Sequence, residues 1–285
     1  MIKYYYNKNN VFENISDEYY ENDPNCKWVK QNNDSTLCDI CDISWDYRDK
    51  INYFCKIVSQ IEGIQLLGNK RHQYKLMELY KPNTIGNYIP QSYFININNI
   101  QNFQNIFSNN KNKNYIIKSE NKTYKTPTFI SSQYSHLFNT INKLNKINTT
   151  NTNWIVQEYI EDPLLYNGRK INIKCYPLLI RDENKLDIYI YNKGLIEIAN
   201  KKYNHSDINP HSHIFSGNSK DNIKIYPEDF ATYFSEKYIT IINDQIKEII
   251  KSTIEPCAIY LKCDNNDIKD YRAYKLLEYN IIIDK

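Results

Sequence analysis

The tightest candidate for metal chemistry is Cys38-Asp-Ile-Cys41, which with Cys26 and Cys55 would supply four thiolates for zinc. A zinc site of that kind needs a second close pair, and none is present. Cys41, Ile43 and Trp45 alternate with Asp42, Ser44 and Asp46, the period of a half-buried strand, which is the favoured reading. A second cluster, His205, Asp207, His211 and His213, holds ligand types that suit a transition metal. A polar loop is the simpler account of it.

Around these residues the periodicity defines an alternation of strands and helices. Tyr4–Tyr6 and Cys38–Trp45 read as strands, and Asp49–Glu62 as a helix with Ile51, Phe54, Cys55 and Val58 on one face. Lys70–Leu79 starts another helix, ended by the turn cluster Pro82–Gly86. Pro90–Ile95, Tyr115–Lys118, Thr128–Ser131 and Trp154–Gln157 read as strands, and Tyr134–Ile147 as an amphipathic helix. Asn96–Asn114 shows little periodicity, and Asn148–Asn153 is a polar linker. After the Asn167-Gly168 turn, Lys170–Ile180 and Leu186–Tyr191 read as strands paired through Asp182–Asn184. A helix begins at Pro227-Glu228-Asp229, with the stripe Ile242, Ile246, Ile249, Ile250 and Ile254 facing a core. Ala258–Asp264 and Ala273–Asn280 read as an antiparallel strand pair.

The chain has 285 residues, enough for a sizeable core in one large or several small domains. A net charge of +3 is too small to argue for nucleic acid or an anionic membrane. No apolar run approaches the roughly 20 residues of a membrane span, and no apolar signal core follows Met1, so cytoplasmic residence is the default expectation. Seven scattered Cys read as thiols. Asn, Ile, Lys and Tyr are abundant, with 27 Tyr against 6 Gly, a bias of AT-rich codons.

Trp154–Lys174 runs Trp-Ile-Val-Gln-Glu-Tyr-Ile-Glu-Asp-Pro-Leu-Leu-Tyr-Asn-Gly-Arg-Lys-Ile-Asn-Ile-Lys. This stretch resembles the signature of the tubulin tyrosine ligase-like family, in which a Gln-Lys-Tyr hinge leads through Pro-Leu-Leu to an Arg-Lys-Phe-Asp-x-Arg strand. Pro90–Ile95, Ile117-Lys118-Ser119, Tyr191-Asn-Lys-Gly-Leu195 and Leu277-Glu-Tyr-Asn280 resemble further family landmarks, in the family's order. The resemblance runs from about Leu66 to Asn280. It implies an α+β, ATP-grasp fold: two α+β subdomains (66–158 and 159–285) gripping a nucleotide cleft, preceded by a small N-terminal α/β domain (1–65).

It also implies ATP and Mg²⁺ as cofactors of a ligase that phosphorylates a carboxylate and lets an amine attack the acyl-phosphate. Lys118 would meet the α- and β-phosphates, and Lys170 would lie beside ATP and substrate. Gln157, Glu158, Tyr159 and Ile160 would form the adenine hinge. Glu278 and Asn280 match the magnesium pair; two apart on a strand, they share a face, and their hard oxygens suit the ion. Lys70, Lys75, Asn172 and Lys174 fall where the family contacts phosphate or substrate, although a solvated helix face also accounts for Lys70 and Lys75. The implied partner is a protein acceptor with an acidic tail, tubulin-like; neither a membrane nor nucleic acid is expected.

Five features depart from the family pattern. The loop Ser119–Pro127 has no Gly, although backbone N–H groups must approach the phosphates there. A further Asp metal ligand aligns with Tyr260, with Asp264 four residues on. The family's Asp and second Arg become Asn172 and Lys174, losing a carboxylate and a bidentate fork. An expected Arg becomes Glu197, a charge reversal. A His-Leu-Thr-Asn segment is reduced to His213-Ile-Phe-Ser216. The expectation is therefore a diverged member with degraded catalysis, a pseudoenzyme or binding scaffold. The alternative is an active ligase adding an amino acid to a protein.

Overall fold

The computed structural model describes residues 2–6, 28–30, 38–42, 55–59, 61–96, 99–109, 113–120, 128–147, 153–191, 194–205, 213, 223–225, 234–263 and 272–284. In chain order the first strands are β1 (Ile2–Tyr6), β2 (Trp28–Lys30), β3 (Cys38–Asp42) and β4 (Cys55–Val58). Helix α1 (Lys70–Tyr80) and β5 (Ser92–Asn96) follow, then β6 (Tyr115–Ser119), β7 (Phe129–Ser131), α2 (Tyr134–Ile147) and β8 (Asn153–Glu158). The remainder is β9 (Leu165–Tyr166), β10 (Arg169–Cys175), β11 (Pro177–Arg181), β12 (Leu186–Ile190), β13 (Leu195–Ile198), β14 (Ile223–Ile225), α3 (Glu236–Ile254), β15 (Arg272–Leu276) and β16 (Tyr279–Ile281). Helices and several sheets make the fold α+β. Two compact units emerge: residues 1–66, 176–191 and 257–277 in one, and 67–175, 192–256 and 278–285 in the other.

The first unit is built on a seven-stranded sheet in the order β12-β11-β15-β4-β3-β1-β2. Its N-terminal strands pair in parallel, and β4 lies between β3 and β15. This corrects the helix expected over Asp49–Glu62. The spacing of Phe54, Cys55 and Val58 mimics a helix face, but Ile57-Val58 is β-branched and β3 and β15 flank the segment in parallel, which makes it an inner strand of the sheet. The segment before Cys55 lies outside the described residues.

The strand pair expected over Ala258–Asp264 and Ala273–Asn280 is also corrected. Glu255–Tyr260 is a 3-10 helix, and Lys262 makes only an isolated bridge to Glu62. Ala273–Asn280 is two strands in two sheets. β15 joins β11 and β4, and β16 joins β10. The run read as Lys170–Ile180 divides in the same way at Tyr176, between β10 and β11. Composition does not mark either switch, because both halves of each run are strand-forming.

The second unit holds the sheets that matter for the site. One is four-stranded, β5-β8-β6-β7. Its alternate residues Tyr93, Ile95, Tyr115, Ile117, Trp154 and Val156 pack with Leu137 and Ile141 of α2. Ile100 and Phe107 complete that core from a 3-10 turn and a short helix, Gln104–Asn109, inside the stretch that shows little sequence periodicity. By the same alternation Ser92, Phe94, Ile116, Lys118, Ile155 and Gln157 share the opposite face.

The other sheet has the order β14-β13-β10-β16, with β9 paired to β10. β9 and β10 are joined by Asn167-Gly168, both with positive φ (50° and 73°), the two-residue turn that matches strand twist. This turn pins the register of β10, so Ile171, Ile173 and Cys175 share one face and Lys170, Asn172 and Lys174 the other. Helix α3 starts at Glu236, where the Ser235 side chain caps Tyr238 N–H, and buries Ile242, Ile246, Ile250 and Ile254. The expected start at Pro227 lies outside the described residues. Among the described residues no helix is long and apolar enough to cross a membrane.

Candidate functional site

A cavity of about 420 Å³ in the second unit is bordered by Lys70, Lys118, Gln157–Ile160, Lys170, Asn172, Lys174, Glu197, Glu278 and Asn280. That volume lies within the roughly 300–1,000 Å³ typical of small-molecule sites. Of the nucleotide, magnesium and substrate residues that the family resemblance implies, it gathers all but Lys75. Lys75 lies on an exposed face of α1, paired with Glu78 at 2.6 Å.

On the four-stranded sheet, Lys118 Nζ donates to Gln157 Oε1 at 3.1 Å, and Gln157 Nε2 donates to Ser92 Oγ at 2.9 Å. Gln157 is thus a clamp that fixes Lys118 across β6 and β8. The N–H groups of Glu158 and Tyr159 donate to the carbonyls of Gln91 and Asn114, each at 2.9 Å. Any adenine contact on this segment therefore falls to its other groups. The Glu158 carboxylate pairs with Lys113 at 2.8 Å. Lys70 opens α1, where Asn69 caps the N–H groups of Arg71 and His72.

Tyr159 acts through its side chain as well as its backbone. Its Oη lies 2.8 Å from Lys170 Nζ and 2.7 Å from His213 Nδ1. His213 Nε2 lies 3.1 Å from the Asn204 carbonyl, which can only accept. In the neutral ring Nε2 therefore carries the proton, Nδ1 accepts from Tyr159 O–H, and Tyr159 Oη accepts from Lys170. The Lys170 ammonium also sits 4.4 Å above the Tyr159 ring and donates to the His213 carbonyl. Lys170 is 1% exposed, and burial lowers its pKa to about 8. Burial raises the pKa of the Tyr159 hydroxyl far above its ordinary value, so it stays protonated. Thus Lys170 borders the cavity with a charge that is easily lost.

The polar face of β10 continues to Asn172 and Lys174. Asn172 pairs with Glu197 across β13, and Lys174 pairs with Asn280 across β16. Asn172 Nδ2 donates to Glu197 Oε2 at 3.1 Å and to Asn280 Oδ1 at 2.8 Å. Lys174 Nζ lies 3.4 Å from Glu197 Oε1 and 3.2 Å from Glu278 Oε1. Asn280 Nδ2 also donates to Glu278 Oε1, at 3.2 Å. Burial by itself pulls Lys174 down, but the hydrogen bond to Glu278 and the charges of Glu197 and Glu278 outweigh it and raise its pKa. Gly194 makes this register accessible, since a Cβ there would lie 2.6 Å from the Lys174 carbonyl oxygen.

Sequence reasoning missed the place of Glu197. The residue reads as a charge reversal at an anion-docking position, yet it faces Asn172 and puts a carboxylate opposite the position that lost one. Only strand register reveals this. Of the histidine cluster, His213 is buried against Tyr159 and Tyr203, while His205 pairs with Glu161 at 3.0 Å. Asp207, His211, Asp264 and the 121–127 part of the Gly-free loop lie outside the described residues. Cys38 and Cys55 pair in register, and Cys26 lies outside the described residues. Among the described residues no group of three His, Cys, Asp or Glu is placed to hold a metal.

The lysines fit a polyanion such as a nucleotide. A divalent ion does not fit this arrangement: Glu197 Oε1 and Oε2, Glu278 Oε1 and Asn280 Oδ1 each already face an N–H donor, and an ammonium bridges the two carboxylates.

A cleft between strand faces of an α+β protein is the ATP-grasp arrangement. Residues 48–285 match the model of the tubulin-tyrosine ligase family, and the chain belongs to that family. It is 25% identical over 150 residues to tubulin glycylase 3C of Tetrahymena thermophila, covering 47% of this chain and 14% of that protein. It is 41% identical over 49 residues to tubulin polyglutamylase TTLL7 of Homo sapiens and of Mus musculus, covering 17% of this chain and 5% of each. The matched stretches thus span a small part of those relatives.

Proposed function

We propose that this chain is a diverged tubulin-tyrosine-ligase-like protein that binds a nucleotide or a protein partner as a scaffold, its ligase chemistry degraded. The observation that carries this reading is the Asn172–Lys174–Glu197 arrangement. The position of the family's Asp is an amide, and that amide is spent on Glu197 and Asn280. The family's anion-docking Arg is replaced by Glu197, which is paired with Lys174. A ligase needs positive donors aimed at developing negative charge, and here a carboxylate occupies that position.

A second reading is an active ATP-dependent carboxylate–amine ligase that adds an amino acid to a protein such as tubulin. One observation favours it: Lys118, Lys170, the 157–160 segment and the Glu278–Asn280 pair border one cavity. The family's members are ATP-dependent ligases generally needing Mg²⁺, and relatives are named for glycylation and polyglutamylation of tubulin. On either reading Lys118, Lys170 and Lys70 would meet the anionic ligand or an acidic acceptor tail, and the protein would reside in the cytoplasm.

The separating experiment is ATP-dependent incorporation of labelled Gly, Glu or Tyr into tubulin and into broad protein acceptor pools. The scaffold reading expects none above background. Incorporation lost in both Lys118→Ala and Glu278→Gln would overturn it. Calorimetry with ATP on wild type and Lys118→Ala tests the nucleotide half. Binding weakened by the substitution supports a surviving cleft, and no binding at millimolar ATP leaves a partner scaffold.

A further inference from the structure

Two carboxylates and an amide oxygen converge on the polar face of β10, β13 and β16, the kind of hard-oxygen set a divalent ion uses. The seat between them is taken. Lys174 Nζ is within 3.4 Å of Glu197 Oε1 on β13 and 3.2 Å of Glu278 Oε1 beside β16, so the ammonium spans the gap between two strands. Asn280 Oδ1, the amide oxygen a metal would use, accepts from Asn172 at 2.8 Å. Asn172 in turn is held by its bond to Glu197 Oε2. Each acceptor named has an N–H partner.

A metal entering this seat would have to expel the ammonium, or face it at a separation where like charges repel strongly in a partly buried site. Mg²⁺ also sheds its water reluctantly and demands near-octahedral oxygen geometry. A tethered ammonium has neither cost. Its strand is fixed by the Asn167-Gly168 turn at one end and by the close approach of Gly194 to the Lys174 carbonyl at the other.

We infer that Lys174 is the resident cation of this cleft: its ammonium, bridging Glu197 and Glu278, fills the seat a divalent ion would need, so the cleft takes its anionic ligand without a divalent metal. Only the ligand clause rests on the reading of the cavity as a nucleotide cleft. The exclusion of metal stands on the side-chain network alone.

The test uses Mn²⁺ itself as the probe, counted by electron paramagnetic resonance on the full chain without nucleotide. Lys174→Met is expected to gain a bound Mn²⁺ per chain over wild type, and Lys174→Met with Glu278→Gln to lose it again. Lys174→Gln replaces the Met variant if that fails to fold, judged by circular dichroism. Wild type and Glu278→Gln are expected to bind equal amounts of Mn²⁺. Failure of the Lys174 variants to gain Mn²⁺ would overturn the inference, as would Mn²⁺ on wild type that Glu278→Gln removes. ATP titrations with and without Mg²⁺ test the ligand clause: equal affinity supports it and Mg²⁺-dependent affinity refutes it. Absence of ATP binding removes the nucleotide reading and with it the ligand clause, and leaves the Mn²⁺ result standing.

Discussion

Lys170→Met removes a buried charge while keeping most of the side-chain volume. Burial lowers the Lys170 pKa from 10.5 to about 8. At about 1.4 kcal/mol per pH unit, that gap is worth roughly 3 kcal/mol. Between the two values the unfolded chain holds this proton and the folded chain does not. The unfolded state therefore binds more protons, and wild-type stability rises with pH across that window. Below the folded-state value both states are protonated and the full cost of burying the ammonium is present. The substitution also loses the donors to Tyr159 Oη and to the His213 carbonyl, together worth about 2 kcal/mol. At about pH 7 the variant is thus expected to be more stable than wild type by about 1 kcal/mol. Near the unfolded-state pKa of 10.5 wild type should draw level or pass it. Urea unfolding of both proteins across this range gives the difference directly, and the groups they share cancel. A difference that stays constant with pH would refute the claim that burial of this ammonium governs its titration.

Three further outcomes follow from the same geometry. Tyr159→Phe removes the hydroxyl bridging Lys170 Nζ and His213 Nδ1 and should cost about 1–2 kcal/mol in urea unfolding; it should also move the pH window of Lys170 downward, which a purely structural role would not do. Asn172→Asp sets a third carboxylate against Glu197 and should cost about 3 kcal/mol or more; adding Glu197→Gln should recover most of it, and a double variant no more stable than the single would count against the pairing. Gly194→Ala drives a Cβ against the Lys174 carbonyl and should cost about 1–3 kcal/mol, whereas Gly68→Ala, which meets nothing within 4 Å, should leave the urea midpoint nearly unchanged.

Much of the second unit was legible in the chain. The Ile242–Ile254 stripe can bury one face only as a helix, so local period is enough to define it, and the β-branched and aromatic residues of the short runs Tyr115–Ile117 and Trp154–Val156 favour strands. The Asn167-Gly168 turn is equally local, because both residues tolerate positive φ. The family signature brought Lys118, Lys170, Glu278 and Asn280 forward in order. Strand assignment over Cys55–Val58 failed because three apolar residues in four, Cys55, Ile57 and Val58, fit either period until their neighbours are known. The breaks at Tyr176 and Leu277 were invisible because each is a change of partner strand, and partner choice is a long-range property.

The tertiary structure alone decided what the polar residues do. Glu197 lies 25 residues from Asn172 in the chain, and only antiparallel register puts them face to face. Tyr159 reads as backbone hinge from its sequence context, and only the return of His213 to the same place turns its hydroxyl into the link that holds Lys170. The seat of Lys174 between Glu197 and Glu278 needs three strands aligned at once. Residue type fixes which groups can carry charge or donate a hydrogen bond, but the energy of a charge falls off with distance and rises with burial, and both are set by the fold.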